Sequence, residues 1–440
     1  MNLIVKKALN LLNDQGYDAY LIGGCVRDSL LSRPFNDYDI TTNASPSEVM
    51  KVFHNYQLVT TGIKHGTVLV IFDELPIEIT TFRIDGDYND NRHPDKVIYT
   101  KSLKEDCARR DFTINALAMD INGDIHDYYE GYKDLSNKVI RCVNEPNKRF
   151  KEDGLRILRA LRFASTLNFD IEEQTKQAIF NNKELLLNIS KERIQSELLK
   201  LLSGDNVYQV LKEYVDVLSI IIKDLNKMVN FDQQSSSHCF DLYEHTIRSV
   251  KAINNDPILR LTMLLHDIGK LDTKQIINNE AKYPNHSESS IKRARTILND
   301  LKFSNKDKKE IITLIEYHSC FLKTNKIDIK QWLNKLGLDM YQKLLLVHYA
   351  DTFTHHQSYH TYLKDFDDIQ ILLKEIIGNN ECYSINQLAI NGNDLIKLKI
   401  NGSNIKKVLE IMLDLVINNK VDNDKYQLIT YIQKNLMDLS

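Results

Sequence analysis

Leu21-Ile22-Gly23-Gly24-Cys25-Val26-Arg27-Asp28, followed by Asn36-Asp37-Tyr38-Asp39-Ile40, is the stretch from which the rest of the chain is best read. An apolar run ending in two glycines reads as a strand entering a tight turn. The missing Cβ atoms there let backbone N–H groups approach a phosphate closely. Arg27 falls about one helical turn further on, within reach of a phosphate oxygen. Asp37 and Asp39 alternate, so on a strand both carboxylates face the same way. Such a pair suits Mg²⁺, a hard cation that takes oxygen ligands and bridges phosphates. Glu78, in the strand-like run Ile77-Glu78-Ile79-Thr80-Thr81-Phe82, is a candidate third carboxylate. Taken singly, Gly-Gly is usually a turn and Asp-x-Asp a solvated strand edge. Their order and spacing here raise the signal.

Outward from that stretch, the first 140 or so residues alternate strand-like runs (DAYLIGG from Asp18, GTVLVIF from Gly66) with helical ones. Ser45 before Pro46, with Glu48 in the next turn, reads as a capped helix start. After about residue 145 apolar residues recur at three- and four-residue spacing, as in GLRILRALRFASTL from Gly154 and RIQSELLKLL from Arg193. The expected architecture is therefore multidomain, α/β plus α: a head with a small mixed β-sheet, then a helical remainder. The Ser/Gln-rich Asp232–Ser237 is the best candidate linker.

Composition bounds the class. The 440 residues leave room for about three domains. No apolar run approaches the roughly 18 to 20 residues needed to span a bilayer. The N-terminus carries no charged, apolar, small-residue leader pattern, so the reading is a cytoplasmic protein without membrane attachment. Six cysteines without CxxC spacing suit free thiols in a reducing compartment. A formal charge of −3 means that binding to RNA must come from local basic surface. Lys148-Arg149-Phe150-Lys151, leading into Arg156, Arg159 and Arg162, offers one, though an isolated run of this kind is usually only a solvated helix face.

Two further constellations sharpen the head. Arg109-Arg110-Asp111-Phe112-Thr113-Ile114-Asn115-Ala116 places two guanidinium groups, a carboxylate and an amide in one short segment; its bland reading is an Arg–Asp pair bracing a helix start. In Glu152-Asp153-Gly154-Leu155-Arg156-Ile157-Leu158-Arg159-Ala160-Leu161-Arg162-Phe163, a continuous helix would line Asp153, Arg156 and Arg159 along one flank. A carboxylate accepts from an exocyclic amine and an arginine donates to ring nitrogens or carbonyls, so the pair imitates the complementary edge of a base.

In this order, LIGGCVRD with DYD, RRDFTINALAMD, YEGYKDLSNKVIR, EDGLRILRALRFASTLNFDIEEQT and ISKERIQSELLKLL resemble the class II tRNA nucleotidyltransferases, the CCA-adding enzymes with their related bacterial poly(A) polymerases. The resemblance covers most of residues 20–201, and INGNDLIKLKINGSNIKKVLEIMLDLV resembles the tail of bacterial members. It implies a nucleotidyltransferase head over 1–143, a helical neck for nucleotide selection and RNA binding over 144–232, and a helical tail over 371–440. It implies Mg²⁺ on Asp37 and Asp39, nucleotide contacts from Gly24 and Arg27, triphosphate on Arg110, and the ribose hydroxyl at Asp111. Asp153 and Arg156 would read the incoming base, with Arg159 and Arg162 completing the contacts. The substrates would be CTP and ATP, and the partner the 3′ acceptor end of tRNA, held through phosphates and shape. The segment from Thr81-Phe82-Arg83 to Arg92-His93-Pro94 resembles the loop of members that complete the terminal A, which favours full CCA addition over CC-only, A-only or poly(A) synthesis. A non-catalytic RNA-binding protein would not need these carboxylates.

The second half carries another pattern. LTMLLHDIGKL is an apolar helix interrupted by His266-Asp267. Burying such a pair is costly unless something such as a metal ion satisfies it. With His245 before it and Asp351 after it, the set resembles the HD phosphohydrolase superfamily. His286 and His318 resemble the additional ligands of its two-metal members. The resemblance implies an HD domain over 233–370, a divalent transition metal, and phosphatase or phosphodiesterase activity towards RNA ends or nucleotides. In a different class of function that hydrolase would be the main activity.

Overall fold

The computed structural model describes residues 2–72, 74–85, 97–235, 239–356 and 361–435. The chain divides into two compact units, one of residues 1–226 with 300–302, the other of residues 227–299 with 303–440.

The first unit opens with helix α1 (Leu3–Asn13), whose Val5, Ala8, Leu9 and Leu12 form one buried stripe. Strand β1 (Ala19–Ile22) leads into α2 (Gly24–Leu30), then β2 (Tyr38–Thr42) and α3 (Pro46–Val52). Ser45 and Glu48 close a reciprocal capping box at the start of α3, as expected from the sequence. Strands β3 (Gln57–Val59), β4 (Thr67–Phe72) and β5 (Leu75–Thr81) follow. In β4, Val68, Val70 and Phe72 point into the core while their neighbours are only partly covered, the period-two burial of a one-sided sheet. A ribbon of β6 (Arg83–Asp85) and β7 (Val97–Tyr99), helix α4 (Leu103–Ala108), and short strands β8 (Ala118–Met119) and β9 (Ile125–His126) complete the head. The seven-stranded sheet runs β3-β4-β5-β2-β1-β8-β9. It is mixed: β2 and β5 are parallel, with Asp39 opposite Glu78, and the other pairs are antiparallel. That register puts Asp39 and Glu78 side by side on the sheet's central strands.

The rest of the unit is helical: α5 (Gly131–Ser136), α6 (Pro146–Glu152), α7 (Leu155–Leu167), α8 (Glu173–Asn182) and α9 (Lys191–Leu202), tied by a two-strand parallel pair, β10 (Val139–Ile140) with β11 (Asp170–Ile171). The expected single helix through Asp153 is corrected here. Asp153 is extended (φ −143°, ψ 105°) and ends α6. Its Oδ1 accepts from the Leu155 N–H at 3.1 Å, which restarts the chain as α7. At the joint, a Cβ on Gly154 would meet the Leu185 Cβ at 3.0 Å. Asp153 therefore does not share a helix flank with Arg156 and Arg159.

In the second unit, α10 (Leu242–Ala252) precedes α11 (Pro257–Leu265), a mostly apolar helix buried without a break from Leu259 to Leu265, Arg260 and Thr262 included. Then come α12 (His286–Asp300), α13 (Asn305–Tyr317), α14 (Lys326–Leu336), α15 (Leu338–Phe353) and α16 (Leu363–Gly378). Ile329, Leu333, Tyr341, Leu345, Phe366, Ile369, Leu373 and Ile376 share one core, and a separate one runs from Cys382 to Ile432. A hairpin, β12 (Gln275–Ile277) with β13 (Glu280–Lys282), interrupts the helices. Its turn residues Asn278 and Asn279 both have positive φ, the Asn-rich two-residue turn that the sequence carried unread. The linker expectation is also corrected. Ser236 and Ser237 lie outside the described residues, but Gln233 is buried and its backbone carbonyl accepts from the Tyr283 hydroxyl. No helix among the described residues is long and apolar enough to cross a membrane.

Candidate active site and candidate metal centre

The turn after β1 builds the first site. Gly23 has φ +82°, which an L-residue adopts only under strain, and a Cβ there would sit 3.1 Å from Arg110 Nη1 and 3.8 Å from Asp39 Oδ2. The glycine thus clears the floor of a cavity of about 510 Å³. Its wall includes Gly24, Arg27, Asp37, Asp39, Arg110, Asp111, Arg159 and Arg162, eight of the ten expected head-site residues. Phe35, Asn115 and Phe163 also line it, and no role was read for them in the sequence.

Each cation on the wall is braced. Arg27 donates to both oxygens of Asp28 (3.0 and 2.7 Å) and to Asn115 Oδ1 (2.6 Å). Arg110 lies 3.5 Å from the fully buried Asp106, which also holds Arg109 at 2.8 Å. Arg159 donates to Asp111 Oδ2 at 2.8 Å, and Asp111 Oδ1 accepts from Asn115 and the Phe112 N–H. Burial alone would raise the Asp111 pKa, but Arg159 and the Asn115 amide hold it well below the ordinary carboxylate range. The guanidinium carbons of Arg27, Arg159 and Arg162 all stand over the Phe163 ring, at 4.9, 5.6 and 4.1 Å. Burial and the Arg159 charge push Arg162 down to about 10. Asp39 behaves oppositely to Asp111. Burial raises its pKa and Glu78 and Asp37 raise it further, against the opposing pull of Arg110. A crowded carboxylate of this kind, beside two others, fits a hard divalent cation through oxygen ligands.

Asp153 and Arg156 are not on that wall. Asp153 pairs with Arg193, and Arg156 is buried, donating to Glu152 Oε2 (2.7 Å) and to the carbonyls of Arg149 and Arg109. The basic run read as local RNA-binding surface is corrected by the same contacts. Arg149 and Arg156 are buried on either side of Glu152 and brace the α6–α7 joint, leaving Lys148 and Lys151 exposed. The loop residues Arg92, His93 and Pro94 lie outside the described residues.

The second unit gathers all six expected metal-site residues. His245, His266, Asp267 and Asp351 bring their ligand atoms within 4.8 Å of one another, as do Asp267, His286 and His318. Asp267 belongs to both groups. Its Oδ2 lies 3.3 Å from His266 Nε2, and its Oδ1 lies 3.5 Å from both His286 and His318 Nε2. Asp351 Oδ1 is 3.0 Å from His245 and 3.3 Å from His266. The outer nitrogens are fixed. Nδ1 of His266, His286 and His318 donates to the carbonyls of Met263, Tyr283 and Ile315, at 2.7, 3.0 and 2.7 Å. A carbonyl only accepts, so the inward Nε2 atoms carry the lone pairs a metal needs. His266 Nε2 is buried at 3.3 Å from Asp267 and Asp351 but makes no well-directed hydrogen bond among the described residues, an arrangement that a metal ion between them would satisfy. Lys270, buried at 2.6 Å from Asp267 Oδ2, and His355, stacked on His245 at 5.4 Å, adjoin the cluster and were missed in the sequence. The HDIGK spacing was the available signal for Lys270.

Residues 19–141 match the family described as the poly A polymerase head domain, and residues 168–219 the probable RNA and SrmB-binding site of polymerase A. Residues 286–432 match tRNA nucleotidyltransferase domain 2. The chain is 50% identical to the CCA-adding enzyme of Lactobacillus helveticus over 208 residues, which is 47% of this chain and about half (52%) of that relative's length. It is 33% identical to the CCA-adding enzyme of Staphylococcus haemolyticus over 443 residues, 98% of this chain and 97% of the relative. The Bacillus stearothermophilus CCA-adding enzyme, solved in complex with CTP, superposes with a TM-score of 0.75 at 29% identity, covering 99% of this chain and 98% of that one. The Thermotoga maritima CCA-adding enzyme, solved with tRNA, shares the fold at a TM-score of 0.63 and 19% identity over 98% of this chain and 94% of its own.

Proposed function

Since this chain belongs to the CCA-adding enzyme family, a membership carried by the full-length match to the Staphylococcus haemolyticus enzyme, we propose that it adds CCA to the 3′ end of tRNA from CTP and ATP, without a template and with release of pyrophosphate. The observation that carries the reading is one cavity lined by Asp37, Asp39, the Gly23–Gly24 turn and four arginines. In the reaction the terminal 3′ oxygen of the RNA bonds to the α-phosphorus of the nucleotide, its proton leaves, and the bond from that phosphorus to the bridging oxygen of pyrophosphate breaks. Mg²⁺ held by Asp37 and Asp39 would lower the pKa of the attacking hydroxyl and neutralise charge on the phosphates. Gly24 and Arg27 contact the nucleotide, and Arg110 takes the triphosphate. Asp111, kept ionised by Arg159, accepts from the ribose hydroxyl. Asp153 and Arg156 do not line the cavity, so to read the base edge they would have to turn from Arg193 and Glu152 towards it; Arg159 and Arg162 complete the nucleotide contacts. The four-part division at residues 143, 232 and 370 belongs to the same reading, as does action in the cytoplasm.

The second cluster supports an additional activity. Its four imidazoles and two carboxylates suit one or two divalent transition metals in an HD domain, with Asp267 shared between the two positions. Such a centre would hydrolyse phosphate esters at RNA ends or on nucleotides. Loss of phosphate release with Mg²⁺, Mn²⁺, Co²⁺ and Ni²⁺ alike, together with metal-free purified protein, would remove this second activity.

The test of the main reading is incubation of the purified protein with tRNA transcripts ending before CCA, after C and after CC, with CTP and ATP separately and together, and sequencing of the products. Addition of C, C and A followed by a stop is expected. Addition of CC alone, A alone or a long A tail would reassign the enzyme within its family.

A further inference from the structure

His245 is set apart from the other three imidazoles of the second cluster by what its outer nitrogen faces. On His266, His286 and His318 that nitrogen donates to a backbone carbonyl. His245 Nδ1 instead lies 3.0 Å from the hydroxyl of Thr354, the residue that ends α15 three places after Asp351. Thr354 is buried. Ser249, one turn along α10 from His245, is buried beside it, with the two hydroxyl oxygens 2.9 Å apart.

A hydroxyl holds one proton and two lone pairs. The Thr354 proton goes to the Asp351 backbone carbonyl at 2.8 Å, which can only accept. The Ser249 proton has two acceptors in reach, the His245 carbonyl at 3.0 Å and the Thr354 oxygen. What Thr354 turns to His245 is therefore a lone pair. Nδ1 then donates, and Nε2, 3.0 Å from Asp351 Oδ1, keeps the lone pair that a metal takes. One side chain thus touches two of the expected ligands on two helices, the His245 ring on α10 and the Asp351 backbone on α15. We propose that Thr354 is a positioning residue of the second site: its hydroxyl holds His245 in the metal-ligating tautomer and ties that ring to the Asp351 backbone. The proposal rests on the cluster binding a divalent transition metal, and the experiment separates the two.

Co²⁺ binding to the chelator-stripped full-length protein would be measured by equilibrium dialysis for wild type, Thr354→Val and Thr354→Ser, with thermal melting in EDTA alongside. Valine keeps the branched shape and loses the hydroxyl, whereas serine keeps the hydroxyl. Thr354→Val is expected to weaken Co²⁺ binding by about tenfold or more, and Thr354→Ser by less than about threefold. In NMR spectra of isotope-labelled histidine in the Zn²⁺-loaded wild type, His245 should carry its proton on Nδ1. That reading needs no variant and decides the question if Thr354→Val fails to fold. Wild-type affinity in Thr354→Val, equal losses in Thr354→Val and Thr354→Ser, or a His245 proton on Nε2 would each overturn the inference and leave the metal centre standing. A wild type that binds no Co²⁺ would overturn the metal-centre reading and the inference with it.

Discussion

Asp39 lies on β2 with Glu78 opposite it on β5, and burial and its negative neighbours raise its pKa above the ordinary carboxylate value. A raised carboxyl pKa means that the charged form costs the folded state free energy, present at neutral pH and relieved as the group protonates. Asp39→Asn should therefore raise the melting temperature of the free protein at pH 7 in EDTA, and Mg²⁺ should stabilise the wild type but not the variant. Calorimetry with and without Mg²⁺ measures both. An Asp39→Asn protein melting lower than wild type would contradict the account of this residue. His348 is the opposite case. Burial pushes it down to about 4, and its Nε2 donates to the Tyr317 carbonyl at 2.9 Å. The unfolded chain binds that proton below about pH 6.5 and the folded chain resists it down to about 4, so stability falls with acid across that window, by up to about 3 kcal/mol. Urea unfolding at pH 7 and pH 5 should show a drop in wild type that is reduced in His348→Gln.

Elements decide which of these residues meet. The Gly-Gly turn, the alternating aspartates and the capped α3 were legible because each is a local pattern with a local cause. The break at Asp153 was not legible. The 3- and 4-residue apolar spacing runs on through α7 and masked the local signal, the Asp153-Gly154 pair, whose carboxylate accepts from the Leu155 N–H and restarts the helix. The burial of Arg149 and Arg156 was hidden as well, since their partner Glu152 reads as one more surface charge. The His–Asp cluster was legible because His266 and Asp267 inside an apolar helix break its pattern, whereas Lys270, one turn further on, breaks none. At this scale Gly23→Ala is the telling substitution. Positive φ costs about 1 kcal/mol in stability, and the new Cβ would press on Arg110. Nucleotide addition should fall by about tenfold or more, mostly through a raised KM for both nucleotides. Steady-state kinetics beside thermal melting would separate that from simple unfolding.

Across the whole chain, each compact unit carries its own carboxylate-centred site, and the residues of one are not those of the other. The two proposed activities should then be separable. Asp267→Ala should lose bound transition metal and phosphate release while keeping CCA addition within about threefold, and Asp37→Ala should do the reverse. Metal analysis and the two assays on the same preparations would show it; joint loss of both activities in either variant would contradict independent sites. Asp37 and Asp39, as the proposed polymerising carboxylates, carry the nucleotide addition. The measurement that tests this most directly is single-turnover transfer of the first C to a tRNA lacking CCA by wild type, Asp37→Ala and Asp39→Ala, with tRNA binding followed in parallel. Transfer should fall on the order of a thousandfold or more in each variant while tRNA affinity stays within about twofold. Transfer at the wild-type rate by either variant would contradict the claim.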